Sequence, residues 1–469
     1  MGKLQMTVLS PSEIDVLHET ALKVLREVGV RVLHRPTRNL LRRAGCAVDE
    51  HSAIVKLPSE LVTTALRAAP KGWNMYTIAG DKLEIGPGSR HFGSLILDPF
   101  ILDYREGVRK PRLADVERHT RLGDALPIVS FMHKMDTDCS DWPLETVNCK
   151  TLELFLSNTT KHVTMRPASV ADAERWVEYV EVAAGRPVSE RPPISAAVGI
   201  ISPLGLDEAN AELLAYYVQR RIPIAPTICP MAGSTSPLTL AGSSVTATAE
   251  NLFLVTLAQL TREGTPTFWG YDISLTHRGT GKDYYYNLDK VNLRLAMGQM
   301  GRFYGLPIAG PCAGATAYRI DVQNGIEGAL NCLATIMLGE NLIDGLGSNC
   351  NAMGMSPEQV LIQAEMVEIC LHLEKGLRMD DYRLAYDAIA RVGPGGHYLT
   401  DDSTLRMLRS DEWFYGRLLD ASDEPGDELA MLRKAHDRVE AIIASHRPAV
   451  DSSVIAALQQ VTERRAAGR

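Results

Sequence analysis

The chain has 469 residues, 45% of them apolar and 23% charged, with a formal net charge of −8. This is the composition of a globular protein with a large core, and it excludes a disordered chain. The acidic, evenly mixed charge argues against a nucleic-acid partner, which needs clustered Lys and Arg.

No apolar run reaches the roughly 18–20 residues of a membrane span. The opening MGKLQMTVLSPSEID has no apolar signal segment. Met6 stands where a myristoylation motif wants Ser or Thr. The expectation is a cytoplasmic protein with no membrane partner. The eight cysteines include no C-x-x-C pair and read as reduced thiols.

The first predicted element is a helix. Ser10 is its N-cap, Pro11 its first residue and Glu13 completes a capping box; Ile14, Leu17, Leu22, Leu25 and Val28 form its apolar face. Helical patterns and turns continue to about residue 90. Eight short apolar runs follow: 91–100, 127–135, 161–169, 194–203, 223–231, 266–274, 306–314 and 341–349. Most precede an amphipathic helix, such as 207–221, 246–263 and 356–375. The last of these opens on another capping box, Ser356-Pro357-Glu358-Gln359.

Eight strand–helix units predict an α/β fold, a (β/α)8 TIM barrel over residues 91–377. An open doubly wound sheet would show an early glycine fingerprint, and none is present. Residues 1–90 form a mainly helical N-terminal extension. Residues 378–469 form a C-terminal helical extension that carries the loop Gly393-Pro394-Gly395-Gly396-His397-Tyr398, and its last residues are expected to fray.

There is no Walker A loop and no H-E-x-x-H. DEHSAI (49–54) begins like a cobalt-ligating D-x-H-x-x-G loop but has Ile54 in place of the glycine, so this chain carries no corrinoid by that motif.

Barrel chemistry sits where strands end. Those ends offer Asp98, Phe100, His133, Asp136, Arg166, Ser202, Cys229, Met231, Trp269, Tyr271, Asp272, Cys312, Ser348, Asn349 and Cys350, followed by His277 and the Tyr284-Tyr285-Tyr286 run. Aromatic faces attract quaternary ammonium ions, each contact contributing roughly 0.5–2 kcal/mol. Phe100, Trp269, Tyr271, Tyr284 and Tyr398 are the candidates for such a cage, against the alternative that they pack strand against helix. Cys229, Cys312 and Cys350 would bind zinc if they converge, against the alternative of small buried residues. His133 and His277 are weaker metal-ligand candidates.

Segments 230–242, 328–349, 356–366 and 393–405 together resemble the trimethylamine methyltransferase family over most of the chain. The resemblance implies a (β/α)8 barrel and methyl transfer to the Co(I) of a separate corrinoid protein. The corrinoid (cobalamin) would be carried by that partner, with no cofactor bound tightly to this chain. Founding members use pyrrolysine, and this chain has no non-standard residue. It therefore resembles the branch that demethylates quaternary amines such as glycine betaine. The segment 314–328 also departs from the pyrrolysine members' pattern.

A quaternary ammonium releases a neutral tertiary amine, which needs no acid or covalent capture. The task that remains is orientation and exclusion of water. No catalytic residue is assigned; Tyr271, Asp272 and Asn349 would position the substrate. The substrate-binding candidates are Asp98, Phe100, Arg166, Trp269, Tyr271, Asp272, Asn349, Asn351, His397 and Tyr398. Arg166 and His397 would hold a carboxylate, and Asp98 or Asp272 would face the ammonium. The chain is expected to form a homo-oligomer. The alternatives are a zinc-dependent thiol or alcohol methyltransferase and a non-catalytic betaine-binding barrel.

Overall fold

The computed structural model describes residues 4–419 and 429–468. Its centre is a ring of eight parallel strands: β1 (His91–Leu97), β2 (Val129–Lys134), β3 (His162–Met165), β4 (Ile194–Gly199), β5 (Ile224–Thr227), β6 (Trp269–Gly270), β7 (Ile308–Pro311) and β8 (Leu342–Leu346). Each lies within one of the eight apolar runs. Strands β1 to β5 pair in chain order, as do β6 to β8, and Leu342 of β8 stands opposite His91 of β1. The ring closes between β5 and β6, where Ile224 bridges Thr267 and Phe268 donates its N–H to the Ile224 carbonyl at 2.9 Å. Strands covered on both faces read as nearly continuous apolar runs, which is why these stand out in the sequence.

A helix follows every strand. That after β5, Leu240–Thr261, starts six residues before the expected position because Thr239 caps it, accepting the Gly242 N–H. It is buried nearly all round, since helices Pro11–Lys23 and Ser59–Ala68 cover its outer side. Helix Pro11–Lys23 has the expected capping box. The helix after β8, Pro357–Glu374, does not complete its own. Ser356 accepts from the Gln359 N–H, but the Gln359 side chain instead donates to Asn324 at 2.7 Å.

The first 90 residues also contain five short strands. Val30–Val32 joins a small sheet with Ile54–Lys56, Ala47–Val48 and the barrel-loop strand Gly205–Leu206. The hairpin Trp73–Tyr76/Lys82–Ile85 closes the barrel floor: its Met75 and Ile85 pack with Phe131, Phe268 and Leu342. Phe131 also fills the space over Gly93, where a Cβ would lie 2.3 Å from the ring.

At the other end, two small sheets rim the mouth. One joins Ser348–Asn349, Gly354–Met355, Phe100–Asp103 and Gly107–Arg109; the other joins Met231–Ala232, Ser274–Thr276 and Asp283–Tyr284.

Helix Ala430–Ser445 packs on Pro357–Glu374 and Leu113–Ala125, and helix Ser452–Ala466 packs on Leu144–Leu156 and Val170–Ala184. The described part of the tail that was expected to fray is instead helical to Ala466. Helix Ser452–Ala466 is tied down by Arg464 and Arg465 on Glu178, by the Tyr179–Thr462 hydroxyl pair at 2.8 Å and by buried Val461. No helix among the described residues is long and apolar enough to cross a membrane.

Candidate active site

With the floor plugged, the barrel interior widens at the strands' C-terminal ends into a cavity of about 170 Å³. Leu95, Phe131, His133, Thr164, Ala197, Ala225, Ala309, Leu342 and Asp344 reach it from the strands. Asp98, Arg166, Tyr271 and Asp272 reach it from the strand ends, and Tyr285 and Tyr286 from the loop that crosses the mouth.

One wall is ionic. His133 Nδ1 and Asp344 Oδ2 are 2.6 Å apart, and His133 Nε2 is buried with no partner. Asp98 stands beside them with its Oδ2 also buried and unpartnered. Burial, then the neighbouring Asp344 charge, pushes the Asp98 carboxyl up to about 8, with Arg166 opposing. Burial would raise Asp344 too, but His133 and Arg166 together hold it below its ordinary value. The Arg166 guanidinium is exposed at the rim and has no hydrogen-bond or ion-pair partner among the described residues.

The opposite wall is aromatic. The Tyr286 hydroxyl donates to Ser348 Oγ at 3.0 Å, and Tyr285 stands edge-on to it, centroids 4.7 Å apart. The Tyr285 hydroxyl bonds Asp272, which also takes Lys290 Nζ at 2.7 Å. Lys290 is buried and lies 3.2 Å from the Tyr285 ring centroid, so it occupies one face of that ring. Gly314 makes room for Tyr286: a Cβ there would be 1.9 Å from the ring.

Beneath, the Tyr271 hydroxyl bonds Glu340, with buried Arg294 nearby. Burial raises Glu340 to about 7, while the Arg294 charge and the Tyr271 hydrogen bond oppose it. Gly310 gives Tyr271 its place, since a Cβ there would lie 2.9 Å from Glu340 and 3.1 Å from Tyr271.

The structure brings four of the sequence candidates to the cavity: Asp98, Arg166, Tyr271 and Asp272. The other six do not line it. Phe100 already carries a cation, Lys110 Nζ, 5.0 Å from its ring centroid. Trp269 points outward from β6, donating its indole N–H to the Met297 carbonyl at 2.8 Å and packing on Tyr304. Asn349 is buried in an amide network with Asn324 and Gln359. His397 and Tyr398 are exposed in the C-terminal part. Asn351 acts one step away: its side chain accepts from the Tyr285 N–H and donates to the Asp283 carbonyl, both at 2.8 Å. It clips the tyrosine loop from a left-handed backbone, φ 58°, that asparagine tolerates. Tyr284, the fifth cage candidate, sits edge-on to His277 instead.

The candidate zinc thiols do not converge. Cys312 and Cys350 are buried and Cys229 is exposed, and no group of three or more His, Cys, Asp or Glu among the described residues could hold a metal ion. His277 bonds Thr280 in its own loop.

Sequence reasoning missed Phe131, Asp344, Lys290, Arg294 and Glu340. Of the tyrosine run it chose Tyr284 for the cage, whereas Tyr285 and Tyr286 face the cavity. Asp344 had a visible signal, a lone acidic residue inside an apolar run.

A sequence profile described as trimethylamine methyltransferase (MTTB) matches residues 2–469. A glycine betaine methyltransferase of Desulfitobacterium hafniense (strain Y51) is 28% identical, covering 98% of this chain and 97% of that one. A trimethylamine methyltransferase of D. hafniense (strain DSM 10664 / DCB-2) is 25% identical over 97% and 93%. Among solved structures, the Methanosarcina barkeri monomethylamine methyltransferase superposes with a TM-score of 0.50 over 92% of both chains, at 12% identity, a likeness of fold.

Proposed function

The chain belongs to the trimethylamine methyltransferase family and is a methyltransferase; from that premise we propose that it removes a methyl group from a carboxylate-bearing quaternary amine of the glycine betaine type. The acceptor is the Co(I) of a separate corrinoid protein docked at the barrel mouth.

The observation that carries the substrate reading is Arg166, an unpaired guanidinium at the rim of a cavity whose far wall is tyrosine. A planar guanidinium binds a carboxylate through two parallel hydrogen bonds. Asp98, protonated at neutral pH because it sits in a dry site beside Asp344, offers an O–H to the same carboxylate. His133, held in orientation by Asp344, presents its free Nε2 to the cavity. Across from them, Tyr286 and Tyr271 supply ring surface to the ammonium.

The substrate then lies across the mouth, carboxylate on the β1–β3 side and ammonium on the tyrosine side, with one methyl facing out. The bound corrinoid partner supplies a nucleophilic metal centre for that methyl, and the C–N electron pair stays on the departing tertiary amine. Because that amine leaves neutral, the wall residues bind, orient and exclude water and pass no proton to it.

Calorimetry tests the substrate class. Glycine betaine should bind measurably, and choline and trimethylamine, which lack the carboxylate, at least tenfold more weakly. Equal affinity for all three would contradict the carboxylate reading.

A further inference from the structure

Glu340 stands just before β8, next to Gly339, whose left-handed backbone (φ 77°) ends helix Val322–Leu338. A glutamate is almost never fully buried unless it is paired, and this one is fully buried. Among the described residues its side chain has one hydrogen-bond partner, the Tyr271 hydroxyl, which donates to Oε1; Oε2 has none. The charges that face it are Arg294 and Arg302 on helix Lys290–Phe303 and Asp272 beyond β6. Both arginines act on it through charge alone, with no hydrogen bond. Arg294 gives Nη1 to the Pro311 carbonyl and Thr335, and its Nε and Nη2 are buried without a partner.

A structural clamp in a buried layer satisfies its polar atoms. This group leaves a carboxylate oxygen and two guanidinium nitrogens unmet, and its carboxyl holds a single neutral partner. Neither Glu340 nor Arg294 lines the cavity, but Tyr271 does. Glu340 therefore reaches the site through the Tyr271 hydroxyl. A phenol that donates to a carboxylate gains electron density, because hydrogen bonds in a low-dielectric site polarise one another. Its ring face then attracts a cation more strongly. The charge of the carboxylate adds an attraction of the same sign, weakly screened at such a place. Both effects need the ionised carboxyl.

We propose that Glu340 acts through the Tyr271 hydroxyl to set how strongly that ring holds the ammonium group of the substrate. The inference rests on the quaternary-amine reading of the site. Burial raises the Glu340 carboxyl to about 7, with Arg294 and the Tyr271 bond opposing. The carboxyl is protonated in mild acid and ionised in mild alkali, so affinity for a quaternary ammonium rises through neutral pH. Asp98, on the other wall, is the second group raised towards this range.

The test is the affinity of the full-length protein for three probes between about pH 6 and about pH 8, by calorimetry. The probes are glycine betaine, tert-butylacetate, which has the same shape and carboxylate but no charged nitrogen, and tetramethylammonium, which has no carboxylate. The advantage of glycine betaine over tert-butylacetate should grow about three- to tenfold across this range, and tetramethylammonium should gain by a similar factor. Glu340→Gln keeps the shape and an acceptor for the hydroxyl; it should flatten both curves and leave tert-butylacetate unchanged. Tyr271→Phe keeps the ring and cuts the link, and should remove most of the rise. Flat wild-type curves would overturn the proposal without recourse to any variant. A rise that persists in Glu340→Gln would belong to Asp98 and also overturn it, as would an equal loss of all three probes, which marks a structural role. Glycine betaine that fails to bind while tetramethylammonium keeps a rise dependent on Glu340 would overturn the carboxylate reading and support this one. If neither cation binds at any pH, both fall.

Discussion

His133 and Asp344 meet on the ionic wall of the cavity at 2.6 Å, and the ring nitrogen facing away from the aspartate is buried with no partner. Removing one member of a buried pair costs roughly 3 kcal/mol, because the other is left uncompensated. Asp344→Asn should therefore lower stability by about that amount at pH 7, read by denaturant midpoint. The double variant His133→Gln with Asp344→Asn should recover part of the loss. Asp344 is held below its ordinary value of 3.8, so its stabilising contribution is full above about pH 4 and is lost as pH falls through the lowered value. The gap between wild type and Asp344→Asn should close in acid. A gap independent of pH would contradict this.

Asp98 has the opposite sign. Its carboxyl is raised to about 8 in the folded protein, while the unfolded chain releases the proton near 3.8. Folding must retain that proton, so this group's contribution to stability falls as pH rises from about 4 to about 8. Asp98→Asn should be increasingly stabilised relative to wild type across that window. In activity, on the proposed carboxylate reading, ionisation above pH 8 sets a second negative charge against the substrate's, so KM should rise. Asp98→Asn should remove that alkaline limb, and an unchanged limb would assign it elsewhere.

Arg166→Ala should weaken glycine betaine binding by roughly 10–100-fold, about 1.5–3 kcal/mol for a charge-assisted pair. Arg166→Lys should recover only part, since an ammonium makes no planar fork. Binding of a quaternary amine without a carboxylate should change little. A uniform loss for all amines would show that Arg166 holds the wall together rather than reading the carboxylate.

Gly314→Ala tests the tyrosine wall without touching the cavity. The new Cβ would fall 1.9 Å from the Tyr286 ring, which must move. KM should rise at least several-fold, given about 0.5–2 kcal/mol per aromatic–cation contact. Tyr286→Phe, which keeps the ring and loses only the Ser348 bond, should be much milder. Equal effects would place the importance in the hydroxyl.

The barrel was legible because doubly covered strands are apolar along their length and turn residues punctuate them. Asp98, Arg166, Tyr271 and Asp272 were legible because barrel side chains just past a strand end face the mouth. Trp269 misled because β6 ends at Gly270, leaving the tryptophan on the outer side against Tyr304 while the chain turns Tyr271 inward. Lys290 and Arg294 were hidden because they sit on a helix, where only packing shows that a charged side chain reaches inward. Tyr285 and Tyr286 depend on the pairing of 283–284 with 274–276 and on the Asn351 clip, 66 residues away in the chain. Neither leaves a periodic trace. The zinc reading failed for a related reason, since nearness to strand ends does not bring three thiols to one point.

The most direct measurement is a single-turnover assay under reducing, oxygen-free conditions with a corrinoid protein held as Co(I). Glycine betaine should discharge the Co(I) absorbance and yield dimethylglycine in equal amount, and trimethylamine should not. Arg166→Ala should slow the reaction at subsaturating substrate. A persistent Co(I) signal with glycine betaine and a corrinoid partner proven to bind this chain, or discharge by trimethylamine alone, would contradict the account.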